Sequence, residues 1–140
     1  VSEGAGGEAR RVAAAVIERH GRVLVQTRPA EGRWQGYWEF PGGGVEAGED
    51  GAECVRRECL EELGLPVQVG PVEHEVSWTY GDVRVEVSFH RCRVDGDAAP
   101  RSLEGQQFRW ADADDLRTLK FLPANAELVA RLADELSSSR

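Results

Sequence analysis

No methionine occurs anywhere in the 140 residues, and cysteine is scarce, with three in the chain. Cys54, Cys59 and Cys92 are odd in number and irregular in spacing, which fits neither a disulfide framework nor a zinc-ligand pattern. They are expected to be buried or part-buried free thiols in a reducing compartment. Long apolar runs are missing too: nothing approaches the roughly 20 residues that cross a bilayer. The first ten residues carry Gly, Glu and Arg but no apolar stretch, so a cytoplasmic chain is expected rather than a secreted one. Positive charge is in deficit, with 17 Lys and Arg against 25 Asp and Glu, a formal −8. Coating a nucleic acid requires a basic stripe that displaces counterions, so no such partner is expected. An acidic chain can still bind polyphosphates where divalent cations supply the positive charge.

What is present is an ordinary globular pattern of a length suited to one domain. Residues 1–140 are expected to form a single unit, with 1–9 and 137–140 flexible. Residues 12–17 and 23–27 are apolar runs around Arg19-His20-Gly21-Arg22, a hairpin-like pair. Residues 29–36 read as a loop, Trp38 to Phe40 as a short strand stopped by Pro41, and Gly42, Gly43 and Gly44 as a flexible turn. A helix is predicted from near Asp50 to Leu63, stopped by Gly64. Residues 67–80 and 83–94 alternate around Gly81-Asp82, a second hairpin. A strand at 107–110, a short helix at 112–117 and a last helix opened by Pro123 complete the pattern. Leu128, Val129, Leu132, Ala133 and Leu136 form that helix's buried stripe. Strands mixed with well-spaced helices predict a layered α/β fold.

The chemistry concentrates in Arg57-Glu58-Cys59-Leu60-Glu61-Glu62-Leu63-Gly64. On a helix, positions 58, 61 and 62 share one face, while Ala52, Val55, Cys59 and Leu63 share another that buries itself. Crowded carboxylates repel one another unless a cation sits among them, and Mg2+ or Mn2+ prefers such oxygen ligands. Taken alone, a Glu-rich helix face is ordinarily just solvated. The spacing around it is what distinguishes this one. Gly43 is followed after five residues by Glu49, after seven more by Arg57-Glu58, then by Glu61-Glu62 and Gly64-Leu65.

This is similar to the Nudix box, G-x5-E-x7-R-E-U-x-E-E-x-G-U, with U a bulky apolar residue. Cys59 at the first U position is the one soft departure. The resemblance implies a Nudix-type α/β/α sandwich with a mixed sheet and a loop-helix-loop box. It also implies that Glu58, Glu61, Glu62, Glu104 and the Gly42 carbonyl hold Mg2+ or Mn2+. Arg57 would orient a catalytic carboxylate and Glu49 would support the loop. Glu61, Glu58, Arg57 and Glu104 form the implied catalytic set. The reaction implied is in-line attack of water on phosphorus without a covalent enzyme intermediate.

Outside the box, the chain resembles MutT-type 8-oxo-dGTP diphosphatases and their CTP-cleaving relatives. Trp38-Glu39-Phe40-Pro41-Gly42-Gly43 resembles the strand entering the box, and Arg28 stands twelve residues before Phe40. Leu103-Glu104-Gly105-Gln106 and Leu122-Pro123-Ala124-Asn125 resemble two later loops. The likeness places Arg28, Glu39, Phe40 and Asn125 at the substrate, a small nucleotide. The Asn125 amide offers a donor and an acceptor together, matching the O6 acceptor and the N7–H donor of a purine oxidised at C8. The loop at 30–37, with Trp34 and Gln35, does not closely resemble the purine-specific members. CTP, ADP-ribose and dinucleoside polyphosphates therefore stay open as substrates, as does a non-catalytic binding module. Trp34, Trp38, Trp78, Tyr80 and Phe89 are candidates for stacking, although aromatics at alternating strand positions are usually core, and the scattered His20, His74 and His90 read as structural. A monomer or homodimer is expected.

Overall fold

The computed structural model describes residues 9–29 and 32–138. Strand β1 (Arg10–Arg19) turns into β2 (Arg22–Thr27) through His20 and Gly21, at φ 55° and 75°. Two consecutive left-handed residues make the tight turn whose twist suits a hairpin. Pairing between the two strands is confined to that end, at Glu18↔Val23 and Arg19↔Arg22. Beyond it they part. β1 runs parallel to β6 (Val83–Arg93), from Arg10↔Val85 to Ile17↔Cys92, and β6 pairs antiparallel with β5 (Gln68–Tyr80). β2 takes β3 (Trp38–Glu39) on one side and β7 (Phe108–Ala111) on the other.

β1 is apolar without alternation because both of its faces are buried. Ala13, Ala15 and Ile17 pack with Cys54, Val55, Cys59 and Leu63 of α1 (Gly51–Leu63). Ala14 and Val16 pack on the opposite side, toward α2 (Ala113–Thr118) and α3 (Ala126–Ser138), with Leu116, Leu128, Leu132 and Leu136. Each large apolar side chain so buried contributes about 1.5–3 kcal/mol relative to exposure. A mixed sheet with α1 on one face and α2 and α3 on the other is the expected α/β/α sandwich.

Four details differ from expectation. Gly42–Gly44 is not a flexible turn but a strand, β4, antiparallel to β1 at Val12↔Gly44, Ala13↔Gly43 and Ala14↔Gly42. A Cβ on Gly42 would stand 2.2 Å from the Ala13 carbonyl oxygen, so glycine is what lets the two backbones meet. On α1, Cys54 takes the buried position expected of Ala52, which is half-buried. Pro123 opens a 3-10 turn, Pro123–Asn125, before α3 begins. Ser137 and Ser138 are helical rather than flexible, being the last residues of α3. Residues 1–8 and 139–140 lie outside the described residues. All three cysteines are free and buried, as expected.

Candidate active site

Two well-made ends fix the rotation of α1. At its start the Asp50 carboxylate accepts from the Glu53 N–H at 2.8 Å, and the Glu53 carboxylate accepts from the Asp50 N–H at 2.9 Å. This reciprocal capping box satisfies two otherwise orphaned donors. At its end Gly64 is left-handed, at φ 60°, and the Leu65 N–H reaches back to the Cys59 carbonyl at 3.2 Å. With Cys54, Val55, Cys59 and Leu63 pinned inward, Glu58 and Glu62 face β4, and Glu62 reaches the cleft described below.

Arg57 ties the box together. Its Nε and Nη2 donate to the two oxygens of Glu49 at 2.7 and 3.0 Å, and Nη2 also donates to the Gly44 carbonyl at 3.1 Å. Its Nη1 reaches Glu58 at 2.9 Å and Glu61 at 3.2 Å. Glu49 also accepts from the Glu46 N–H at 2.9 Å, closing the loop before the helix. The Arg57 hydrogen bonds and that N–H hold the Glu49 carboxyl down to about 2. Glu58 lies against Gly43, where a Cβ would stand 2.5 Å from its carboxylate. Burial pushes Glu58 above the ordinary carboxylate value against the pull of Arg57, and the charges of Glu61 and Glu104 add to the rise. Glu61 is half exposed, its side chain 53% accessible.

Glu62 belongs to a different network, one not visible in the sequence pattern. Its Oε1 accepts from the Gln26 side chain at 3.2 Å and from the Gly42 N–H at 3.1 Å. Buried Gln106 donates to Gln26 Oε1 at 3.3 Å and to the Glu62 carbonyl at 2.8 Å. Burial, then repulsion from Glu58 and Glu39, pushes the Glu62 carboxyl up to about 8. Glu104 sits on the exposed loop that this network anchors: its N–H donates to Gln106 at 3.0 Å, and the Leu103 N–H donates to the Glu62 carbonyl at 3.1 Å.

A cleft of about 370 Å³ opens beside β4. Arg28, Glu39, Phe40, Gly42, Glu62 and Asn125 all line it, so the fold brings the expected substrate residues together with part of the acidic set. Arg57, Glu58, Glu61 and Glu104 are not among its lining residues. Arg28 Nη1 stands 3.5 Å from Glu39, while its buried Nε has no hydrogen-bond partner among the described residues. Burial raises Glu39 to about 7 despite Arg28. Phe40 is a core side chain, packed on Phe89 and Phe121. Asn125 is 5% exposed and its N–H donates to the Leu122 carbonyl, but no hydrogen bond engages its side-chain amide among the described residues.

Two of the candidate stacking aromatics line the cleft. Trp34 and Tyr80 form an aromatic wall, edge to face with centroids 5.6 Å apart, and the Tyr80 hydroxyl accepts from the Ala124 N–H at 3.0 Å. Phe89 is core as expected, whereas Trp78 is exposed. Alternation alone places an aromatic on a strand face without saying whether that face meets core, cleft or solvent.

Among the described residues, no three acidic, His or Cys side chains are already gathered about one point as a metal site. Glu58 and Glu61 are engaged by Arg57, and Glu62 by Gln26 and Gly42. The chemistry of the donor set nevertheless fits a hard divalent cation. It is all oxygen, and Glu58, Glu62 and Glu39 each stand above the ordinary carboxylate value, chiefly through burial, with the charge of Glu58 adding to the rise of both Glu62 and Glu39.

Comparison with known proteins identifies the family. The NUDIX domain family matches residues 12–131. The chain is 30% identical over 125 residues to the 8-oxo-dGTP diphosphatase of Haemophilus influenzae, covering 89% of this chain and 91% of that protein. It is 48% identical over 59 residues to the CTP pyrophosphohydrolase of Escherichia coli, a stretch covering 42% of this chain and 44% of that protein. The crystal structure of the MutT NUDIX hydrolase from Burkholderia pseudomallei superposes with a TM-score of 0.76 at 26% identity, covering 92% and 98% of the two chains. The chain belongs to the NUDIX domain family, and its enzyme class is that of a Nudix pyrophosphohydrolase. Nudix hydrolases generally need divalent cations. Among the described residues no helix is long and apolar enough to cross a membrane.

Proposed function

We propose that the chain hydrolyses an oxidised purine nucleoside triphosphate of the 8-oxo-dGTP kind to the monophosphate and pyrophosphate, working in the cytoplasm on the free nucleotide pool. The observation that carries this reading is a single cleft lined both by the uncommitted amide of Asn125 and by Glu62 and the β4 glycines. The acidic balance of −8 suits a small nucleotide met through cations and not a nucleic acid. Glu58, Glu61, Glu62, Glu104 and the Gly42 carbonyl are the groups that would hold Mg2+ or Mn2+. When bound, such a cation neutralises phosphate oxygens and makes a water molecule more acidic.

The chain's own residues divide the remaining work. Glu61, Glu58 or Glu104 takes the proton of the attacking water. Arg57, with donors on both Glu58 and Glu61, keeps those carboxylates in place. The Asn125 amide pairs with the O6 acceptor and N7–H donor of the oxidised base, whereas ordinary guanine presents an acceptor at N7 and leaves one polar group unpaired. Arg28 and Glu39 flank the base, with the Phe40 backbone as a wall. A panel of nucleotides incubated with Mg2+, with products identified, tests this. Monophosphate and pyrophosphate released fastest from 8-oxo-dGTP is the expected result, and a hundredfold preference for ADP-ribose overturns it. A CTP-cleaving enzyme is the second reading, favoured by the 48% identity over 59 residues to the E. coli CTP pyrophosphohydrolase. The same panel separates the two.

A further inference from the structure

We propose that Arg10 is the cation that seats the substrate's phosphate chain beside the box, filling the room that a side chain at Gly44 would otherwise take. The inference rests on the hydrolase reading above and adds a binding residue to it. Arg10 is the exposed first residue of β1 and lines the same cleft as Gly42, Gly43, Gly44, Glu62 and Asn125. Its guanidinium lies directly against β4. A Cβ built on Gly44 would stand 3.2 Å from Arg10 Nη2 and 3.5 Å from its Nε. Arg57 grips the same glycine through its carbonyl, at 3.1 Å.

What sets Arg10 apart from its neighbours is its freedom. Arg28 and Arg57 are both committed to carboxylates, whereas Arg10 takes part in no salt bridge among the described residues. Arg33 also lines the cleft, but it stands over Gly81 at the tip of the β5–β6 hairpin, 3.1 Å from where a Cβ there would be. A triphosphate carries about four negative charges at neutral pH, more than one divalent cation neutralises. A guanidinium with several parallel donors is the side chain best matched to the remaining phosphate oxygens. Glycine at position 44 leaves it the space.

Calorimetric titration with inorganic tripolyphosphate and Mg2+ tests the assignment without requiring turnover. Arg10→Ala is expected to weaken binding at least tenfold, and Arg10→Lys only a few-fold. The double variant Arg10→Ala/Gly44→Lys is expected to recover most of the loss. Gly44 lies outside the left-handed region, and a lysine there grows into the vacated volume. With nucleoside triphosphate as substrate, Arg10→Ala should raise KM about tenfold and leave kcat within a few-fold, with an unchanged circular dichroism spectrum. Tripolyphosphate binding that is absent in the parent, equal in Arg10→Ala, or no tighter in the double variant than in Arg10→Ala overturns the proposal. Failure of the functional reading looks different: tripolyphosphate binds in an Arg10-dependent way, yet no nucleotide of the panel is cleaved.

Discussion

The Gln26 side-chain amide donates to Glu62 Oε1 across 3.2 Å, joining the second strand to the acidic helix at a point where both are largely shielded from water. The Gly42 N–H adds a second donor to the same oxygen at 3.1 Å, yet the carboxyl is still pushed up to about 8. Two neutral donors do not repay the loss of hydration, least of all with Glu58 and Glu39 repelling the same charge. Glu62 is therefore held at a cost to the metal-free protein.

The Glu62→Gln variant makes that cost measurable. Its amide oxygen can accept both existing hydrogen bonds without carrying charge. The metal-free variant should be more stable than the parent at pH 7 by roughly 2 kcal/mol, a few degrees in Tm. Hydrolysis with Mg2+ should fall a hundredfold or more, because a donor of the proposed cation is gone. Thermal melts in EDTA beside steady-state rates check both halves. A variant that melts below the parent would mean that Glu62 is not held at a cost in the metal-free protein.

Arg57 supports a second prediction. It makes two parallel hydrogen bonds to Glu49 and reaches Glu58, Glu61 and the Gly44 carbonyl with the rest of its fork. A lysine ammonium cannot reproduce that planar geometry. Arg57→Lys and Arg57→Ala should both lose activity by about two orders of magnitude in kcat, with KM changed far less. If Arg57→Lys keeps more than half of the parent kcat, the fork geometry is not what matters.

The parts legible in sequence were those set by local spacing. The box positions lie within 23 residues, from Gly43 to Leu65, and the capping box and the Gly64 stop that frame the helix are local signals too. Gly42–Gly44 was misjudged because three successive glycines carry the signature of a turn. Their strand character comes from close approach to the β1 backbone, a contact made elsewhere in the chain. The pairing of Gln26 with Gln106 has no local signal for the same reason: 80 positions separate them, and only the fold makes them partners. Arg10 gained meaning only once Gly44 lay beneath it.

Asn125 should govern base choice without governing the fold. No hydrogen bond engages its side-chain amide among the described residues, so truncation leaves no partner orphaned. Asn125→Ala is expected to lower the kcat/KM ratio of 8-oxo-dGTP over dGTP at least tenfold. Its Tm should stay within a few degrees of the parent. Equal ratios in parent and variant would move base recognition elsewhere in the cleft, with Trp34 and Tyr80 next to be tested.

His90 supplies a pH signature from outside the acidic set. The ring is 6% exposed, its Nε2 lies 2.9 Å from the Ser88 hydroxyl, and it packs where a Cβ on Gly51 would stand 2.9 Å away. Burial lowers its pKa below the ordinary 6.5, outweighing the opposing pull of Asp50 and Glu75. Above pH 6.5 the ring is neutral whether the chain is folded or not, and it costs nothing. Below pH 6.5 the unfolded chain takes up a proton that the folded chain refuses, so stability drains away as pH falls toward the lowered value. Melting curves between pH 8 and pH 5 should show the parent losing more stability on acidification than His90→Gln, whatever their offset at pH 8. Parallel curves across that range would mean that His90 is protonated as easily inside the fold as outside it.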